Sequence, residues 1–170
     1  MEYKANPKAR YTKKAANEIF LLVGQCIVTF AALEAGLDLS ISYIHNDYGG
    51  SKLEIEVPRT GLKRKLTYLC LAIKRLEDVP RKSDLKKLIA EIKRASKTRN
   101  LIAHGVINIS STAKEKIHLH LSFSHYHGAR LSSLSRSGLS DFCHLVNDLA
   151  QAMGAYTGLL MEGCKAKDFP

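Results

Sequence analysis

The sequence has no tryptophan and, in 170 residues, only four prolines, four cysteines and sixteen acidic residues. A zinc ribbon or a redox motif needs two cysteines in a C-x-x-C spacing, and no two of the four have that spacing. We interpret the four as reduced thiols in the core: Cys26, Cys70, Cys143 and Cys164. The first eighteen residues are polar and basic, so no secretory signal is expected.

The sequence also has no long uninterrupted apolar run. The longest, Ile19 to Leu33, contains Gln25 and is followed directly by Glu34, and it is too short for a membrane span. We therefore expect a cytoplasmic protein with no membrane partner. Apolar residues make up 45% of the chain and charged residues 25%, as in an ordinary globular domain. This composition predicts one domain over residues 1–170, with residues 1–11 as a basic polar arm.

Positive charge is abundant and concentrated. The net charge is +10, and the stretch Lys52 to Arg99 has fifteen Lys and Arg against six Asp and Glu. Such a block attracts polyanions such as RNA, although a charge run is also typical of the solvated face of helices. Lys63, Arg64 and Lys65 are consecutive and point in different directions on a helix, and we predict that they help to hold RNA phosphates.

Apolar residues at helical spacing predict four helices. The first covers about residues 12–45, Thr60 and Ser83 are predicted N-caps of the second and third, and the third ends near Gly105. The four apolar stripes are Phe30, Leu33, Leu37, Ile41 and Ile44; Leu62, Leu66, Leu69, Ile73 and Leu76; Leu85, Leu88, Ile89 and Ile92; and Leu139, Phe142, Leu145, Val146, Leu149 and Met153.

Between the third and last helices the period changes to two. Apolar and polar residues alternate from Ile117 to Phe123, and together with Val106 to Ile109 they predict a β-hairpin whose turn lies near residues 111–116. A shorter alternation over residues 53–57 is compatible with a strand. The predicted fold is mainly α, an up-and-down helical bundle with a hairpin inserted before the last helix.

The most distinctive string is Arg-Asn-Leu-Ile-Ala-His-Gly, from Arg99 to Gly105, at the end of a basic helix. An Arg-x4-His spacing alone is weakly specific. Arg99 then reads as a solvated cation, Asn100 as a local backbone binder, and His104 as a cap of the negative helix end. With Asn100 directly after the arginine, Ala-His-Gly at the end and this order of helices, the sequence resembles the HEPN superfamily.

The resemblance implies a metal-independent endoribonuclease without cofactors, of a kind often found in toxins or phage defence. It implies Arg99 and His104 as catalytic residues, assisted by Asn100, and a homodimer with RNA as its partner. An antitoxin protein is a further expected partner. Where some of these toxins have a tyrosine two positions after the histidine, this chain has Val106, so silencing by a nucleotidyltransferase partner is not expected. The alternative is a non-catalytic module of this type that dimerises and binds RNA or protein.

The residue types suit RNA cleavage by the 2′-hydroxyl. A histidine serves as base or acid near neutral pH, and an arginine offers a planar fork of donors to phosphate oxygens. Five positions on a straight helix rotate by about 140°, so either the helix bends or Arg99 and His104 border one groove from opposite rims.

Two further sets of residues are weaker candidates. Glu34 interrupts an apolar stretch and is predicted either to orient Arg99 or His104, or to pair with a cation of the second helix. A cluster of four histidines is compatible with zinc but fits a solvent-facing polar row better, so no metal site is predicted. These are His118, His120, His125 and His127.

Overall fold

The structure, a computed structural model, describes residues 13–104, 106–111, 117–122 and 131–168, with side chains over 16–104 and 134–164. The prediction of a mainly helical chain is confirmed. The elements are α1 (Lys13–Asp47), a short 3-10 helix (Gly50–Leu53), α2 (Leu62–Arg75), α3 (Lys82–His104), β1 (Val106–Ser111), β2 (Ile117–Ser122), β3 (Leu131–Ser135) and α4 (Arg136–Asp168).

The three strands pair in the order β1-β2-β3, antiparallel throughout. Val106 lies opposite Ser122, and Ser122 lies opposite Leu131 on the other side of β2. The predicted hairpin stays a prediction, because its turn lies outside the described residues. Strand β3 was not predicted, because its Ser-rich sequence has little apolar alternation. Its pairing with β2 uses backbone groups, which every residue except proline supplies in full.

Three local predictions were wrong. Residues 53–57 form no strand: Leu53 ends the 3-10 helix and Glu54 has a φ of 53°, which is incompatible with extended backbone. Gly61, with a φ of 82°, precedes α2 in place of the predicted cap Thr60. Ser83 lies inside α3 rather than at its cap.

The chain divides into two compact units. One, which we call the motif unit, comprises residues 1–28 and 97–144, and the other, the basic unit, comprises residues 29–96 and 145–170. The divisions at 28/29, 96/97 and 144/145 fall inside α1, α3 and α4, so no linker marks them. The single-domain interpretation therefore stays a prediction.

The basic unit has a core of helix-facing residues joined by polar bonds. The predicted α1 stripe is fully buried there: Phe30, Leu33, Leu37, Ile41 and Ile44. Ser40 in α1 is 2.8 Å from the Thr157 hydroxyl in α4, and the Tyr48 hydroxyl donates to the Leu160 carbonyl at 2.8 Å. Burial raises the pKa of Tyr48 to about 12, so this phenol stays a donor at physiological pH. These bonds fix α1 against α4 within the unit.

In the motif unit, two thiols lie at the contact between α1 and α4. The Sγ atoms of Cys26 and Cys143 are 3.2 Å apart, and Cys143 also contacts the Leu22 carbonyl at 3.3 Å. Burial raises the pKa of the Cys26 thiol, so the protonated form is favoured. All four cysteines are thiols, but Cys70 is exposed, so the prediction that every cysteine is a core residue was wrong for that position.

The N-terminal part of α1 exposes large apolar side chains. Phe20, Leu21 and Val28 are 56%, 72% and 71% exposed, although Ile19 and Cys26 beside them are buried. The segment Ala16–Asp47 is long and apolar enough to cross a membrane by length and composition, and 22% of its most apolar window is buried. That the protein has no membrane partner therefore stays a prediction.

Candidate functional site

The Arg99–His104 string forms the last turns of α3, which stays α-helical to His104. Ile102 is 4% exposed and anchors this end of the helix in the core of the motif unit. Asn100 and His104 are two positions before and after Ile102, so each is rotated by about 160° from it. Both are exposed, as this rotation requires. The anchoring of Ile102 therefore presents Asn100 and His104 to solvent on one face.

Arg99 lies differently. It is three positions before Ile102, about 60° away, which places it at the margin of the buried face. Its side chain is half-buried and its Nε is shielded from solvent. The Arg99 Nη1 donates to the Asn100 Oδ1 at 3.2 Å. Because Asn100 shares the exposed face with His104, this bond joins the guanidinium to a residue of the face that also presents His104.

The helix is continuous through the motif, since α3 stays α-helical from Lys82 to His104. That Arg99 and His104 border one groove stays a prediction. Asn100 lies between them: it is a neighbour of Arg99 in sequence and of His104 at the i, i+4 spacing. The bond between Arg99 and Asn100 was not predicted from the sequence.

Glu34 and the histidine cluster lie elsewhere. Glu34 belongs to the basic unit and Arg99 to the motif unit, so the predicted role of Glu34 stays a prediction. His118 and His120 lie in β2, paired with Ser110 and Asn108 of β1. Among the residues whose side chains are described, no group of three or more His, Cys, Asp or Glu is arranged to hold a metal.

The three consecutive cations of α2 separate into two kinds. Lys63 and Arg64 are exposed. Lys65 is buried, with 6% of its side chain exposed, and its Nζ lies 2.7 Å from a carboxylate oxygen of Asp38 in α1. Lys65 is four positions before the core residue Leu69 and therefore lies on the inward side of α2. Its charge is used between helices, and only the other two cations are presented to solvent.

Lys65 is buried, whereas half of the Asp38 side chain is exposed. We therefore expect unequal losses of stability when one or the other partner is replaced. Asp38→Asn leaves a buried ammonium without its carboxylate and is expected to lower the free energy of unfolding by about 1–3 kcal/mol. Lys65→Met leaves an Asp38 side chain that is 50% exposed and stays hydrated, so about 1 kcal/mol or less is expected. Urea denaturation measures both, with Lys63→Met as the exposed control. An equal loss in the two variants would contradict the asymmetry.

Lys63 and Arg64 line a groove of about 680 Å³ between α2 and the segment 55–60. Arg59 lines this groove and also an adjoining one of about 410 Å³, in which it faces Asp38, Ser42 and His45. The His45 Nδ1 is 3.0 Å from the Tyr68 hydroxyl. Burial raises the pKa of Tyr68, so its phenol stays neutral at physiological pH. The sequence analysis missed Arg59, which is isolated in the chain from the other cations.

Comparisons with protein-family models, with curated proteins and with solved structures give no match to this chain. The resemblance to HEPN proteins therefore rests on the residues of the motif and on the order of the helices.

Proposed function

We propose that the protein is a metal-independent endoribonuclease of the HEPN type, active in a toxin, phage-defence or stress role. The observation that carries the proposal is the hydrogen bond from Arg99 to Asn100 at the exposed end of α3. It joins a guanidinium to Asn100, which lies on the face where His104 is open to solvent. A phosphodiester approaching that face would meet a fork of donors and an imidazole together.

Each residue then has one role. His104 exchanges a proton with the 2′-hydroxyl or with the leaving 5′-oxygen. Arg99 donates to the non-bridging phosphate oxygens, where negative charge develops as the 2′-oxygen attacks phosphorus. Asn100 holds the guanidinium in place through its Oδ1. The attack breaks the bond between phosphorus and the 5′-oxygen and leaves a 2′,3′-cyclic phosphate.

The reaction uses two proton transfers, whereas each motif has one histidine. A two-fold symmetric homodimer would supply a second His104 to the same cleft. The exposed apolar side chains of the motif unit support this proposal: Phe20, Leu21 and Val28. Large apolar side chains exposed close together on a helix are typical of protein contacts.

The direct test is an RNA cleavage assay with the purified full chain. Single-stranded RNA should be cut in the presence of a chelator, and mass spectrometry of the fragments should find 2′,3′-cyclic phosphate ends. Fragments with 5′-phosphate ends, or cleavage that requires an added divalent ion, would contradict this mechanism. If the protein binds RNA but cuts none under any condition, the alternative of a non-catalytic binding module takes its place.

A further inference from the structure

The groove beside α2 is lined by three exposed cations. Arg59, Lys63 and Arg64 are all exposed and line the same 680 Å³ groove. Within the part of the chain that the structure describes, none of their side-chain nitrogens makes an ion pair or a hydrogen bond. By contrast, the cation next to them, Lys65, is paired with Asp38. The groove has one carboxylate in its lining, Glu56.

Three like charges facing one groove repel each other, and an anionic ligand removes that repulsion. The lining also has the exposed hydroxyl of Thr60, which can donate to an anionic oxygen, whereas the Thr67 hydroxyl donates to the Lys63 carbonyl at 2.9 Å. Its aromatic residue, Tyr68, is only 2% exposed and offers no face on which a base could stack. The chemistry of the groove therefore fits phosphate groups and gives little means to read a base.

The two grooves meet at Arg59, which lines both. Neither groove is an enclosed cavity, and the larger one, lined by Arg59, Lys63 and Arg64, has mixed polar and apolar walls rather than the mainly apolar walls of a small-molecule pocket. A ligand with several phosphates in series fits such a shape better than a single nucleotide does.

We propose that the groove lined by Arg59, Lys63 and Arg64, which we call the Arg59 groove, binds the sugar-phosphate backbone of single-stranded RNA. Each of the three cations would neutralise one phosphate. The choice of RNA as the polyanion rests on the proposed function, whereas the binding itself does not depend on cleavage. Binding of this kind tolerates changes of sequence and weakens steeply with salt, since it releases counterions.

The test measures binding of a labelled oligouridylate of about twenty nucleotides by fluorescence anisotropy over a range of salt. The His104→Ala protein is used so that the RNA stays intact. Adding Arg59→Ala, Lys63→Ala and Arg64→Ala is expected to weaken binding by at least roughly tenfold and to reduce the slope of log affinity against log salt by about 2, since single strands give about 0.7 for each phosphate contact. The matched control removes three exposed cations of α3 with Lys86→Ala, Lys87→Ala and Lys93→Ala.

Two results would overturn the proposal: an unchanged salt slope in the groove variant, or an equal loss of affinity in both triple variants. In the second case the three cations would contribute only to the net charge of the protein and not to a specific site. A second measurement uses an amine-acetylating reagent and mass spectrometry. RNA should protect Lys63 and leave Lys86 reactive, and equal modification of Lys63 with and without RNA would also overturn it. A protein that binds RNA through the groove but never cuts it would remove the proposed nuclease activity and leave this inference in place.

Discussion

Replacing His104 with alanine is expected to slow RNA cleavage by at least about 10²-fold, the usual effect of removing a positioned acid or base. Because His104 is exposed at the last position of α3, the free energy of unfolding should change by no more than about 0.5 kcal/mol. Single-turnover cleavage and urea denaturation of the same preparations separate the two effects. The matched control is His144→Ala, which removes an exposed histidine of α4 in the same unit.

Arg99→Lys extends the same test to the phosphate clamp. An ammonium keeps the charge but loses the planar fork and the geometry of the bond to Asn100, so at least about a tenfold loss of cleavage is expected. Arg94→Lys is the control, since that arginine is 72% exposed and its partner Glu91 accepts a lysine equally well. Cleavage by His104→Ala or Arg99→Lys at the wild-type rate would remove the nuclease assignment.

Helix positions were predictable because burial of an apolar stripe determines them. All five residues of the predicted α1 stripe are buried, and so are Leu66 and Leu69 of α2. The burial of individual residues is predicted less well where the apolar stripe of a helix is wider than the face that other helices cover. Leu145 lies on the predicted α4 stripe but is 41% exposed, because periodicity gives a direction without saying how far the neighbouring helices extend over it.

Features that depend on backbone or on distant partners were not predictable in this way. Gly61 has the positive φ of the residue that precedes α2, so Gly61 takes the position at which Thr60 was predicted to cap the helix. Lys65 differs from Lys63 and Arg64 only by its direction on α2 and by the presence of Asp38 in α1, which is 27 residues earlier. A run of three cations does not indicate which of them has such a partner.

The sequence proposes the residues of the candidate site but not their arrangement. The Arg-x4-His spacing places its two ends about 140° apart, which counted against a shared site. The connection through Asn100 depends on the side-chain torsions of Arg99 and on the anchoring of Ile102, neither of which is encoded in spacing. The Arg59 groove was missed for a related reason, because the segment 55–60 brings an isolated arginine beside the first turn of α2.

The apolar face of α1 leads to the prediction with the second large effect. Leu21→Glu combined with Val28→Glu should convert the proposed dimer to a monomer, because two-fold symmetry would bring four new charges into one contact. Burying a Leu or Val side chain contributes about 1.5 kcal/mol or more, so losing two is expected to cost about 3 kcal/mol, and the dimer dissociation constant should rise by at least about 10²-fold. Since stable contacts bury about 800 Å² on each partner, these residues would form the centre of a larger interface.

Sedimentation equilibrium measures the change in mass, and cleavage of RNA at the same protein concentration should fall in proportion to the fraction of dimer lost, because each cleft would lose its second histidine. Met161→Glu, at an apolar side chain that is 39% exposed on α4 in the basic unit, is the matched control and should remain dimeric and active.

A wild-type protein that is monomeric at micromolar concentration with full activity would contradict the composite site. If wild type instead sediments with anionic lipid vesicles and the double variant does not, the apolar face binds a membrane surface, and the single histidine of each motif must then work with a different proton-transfer group.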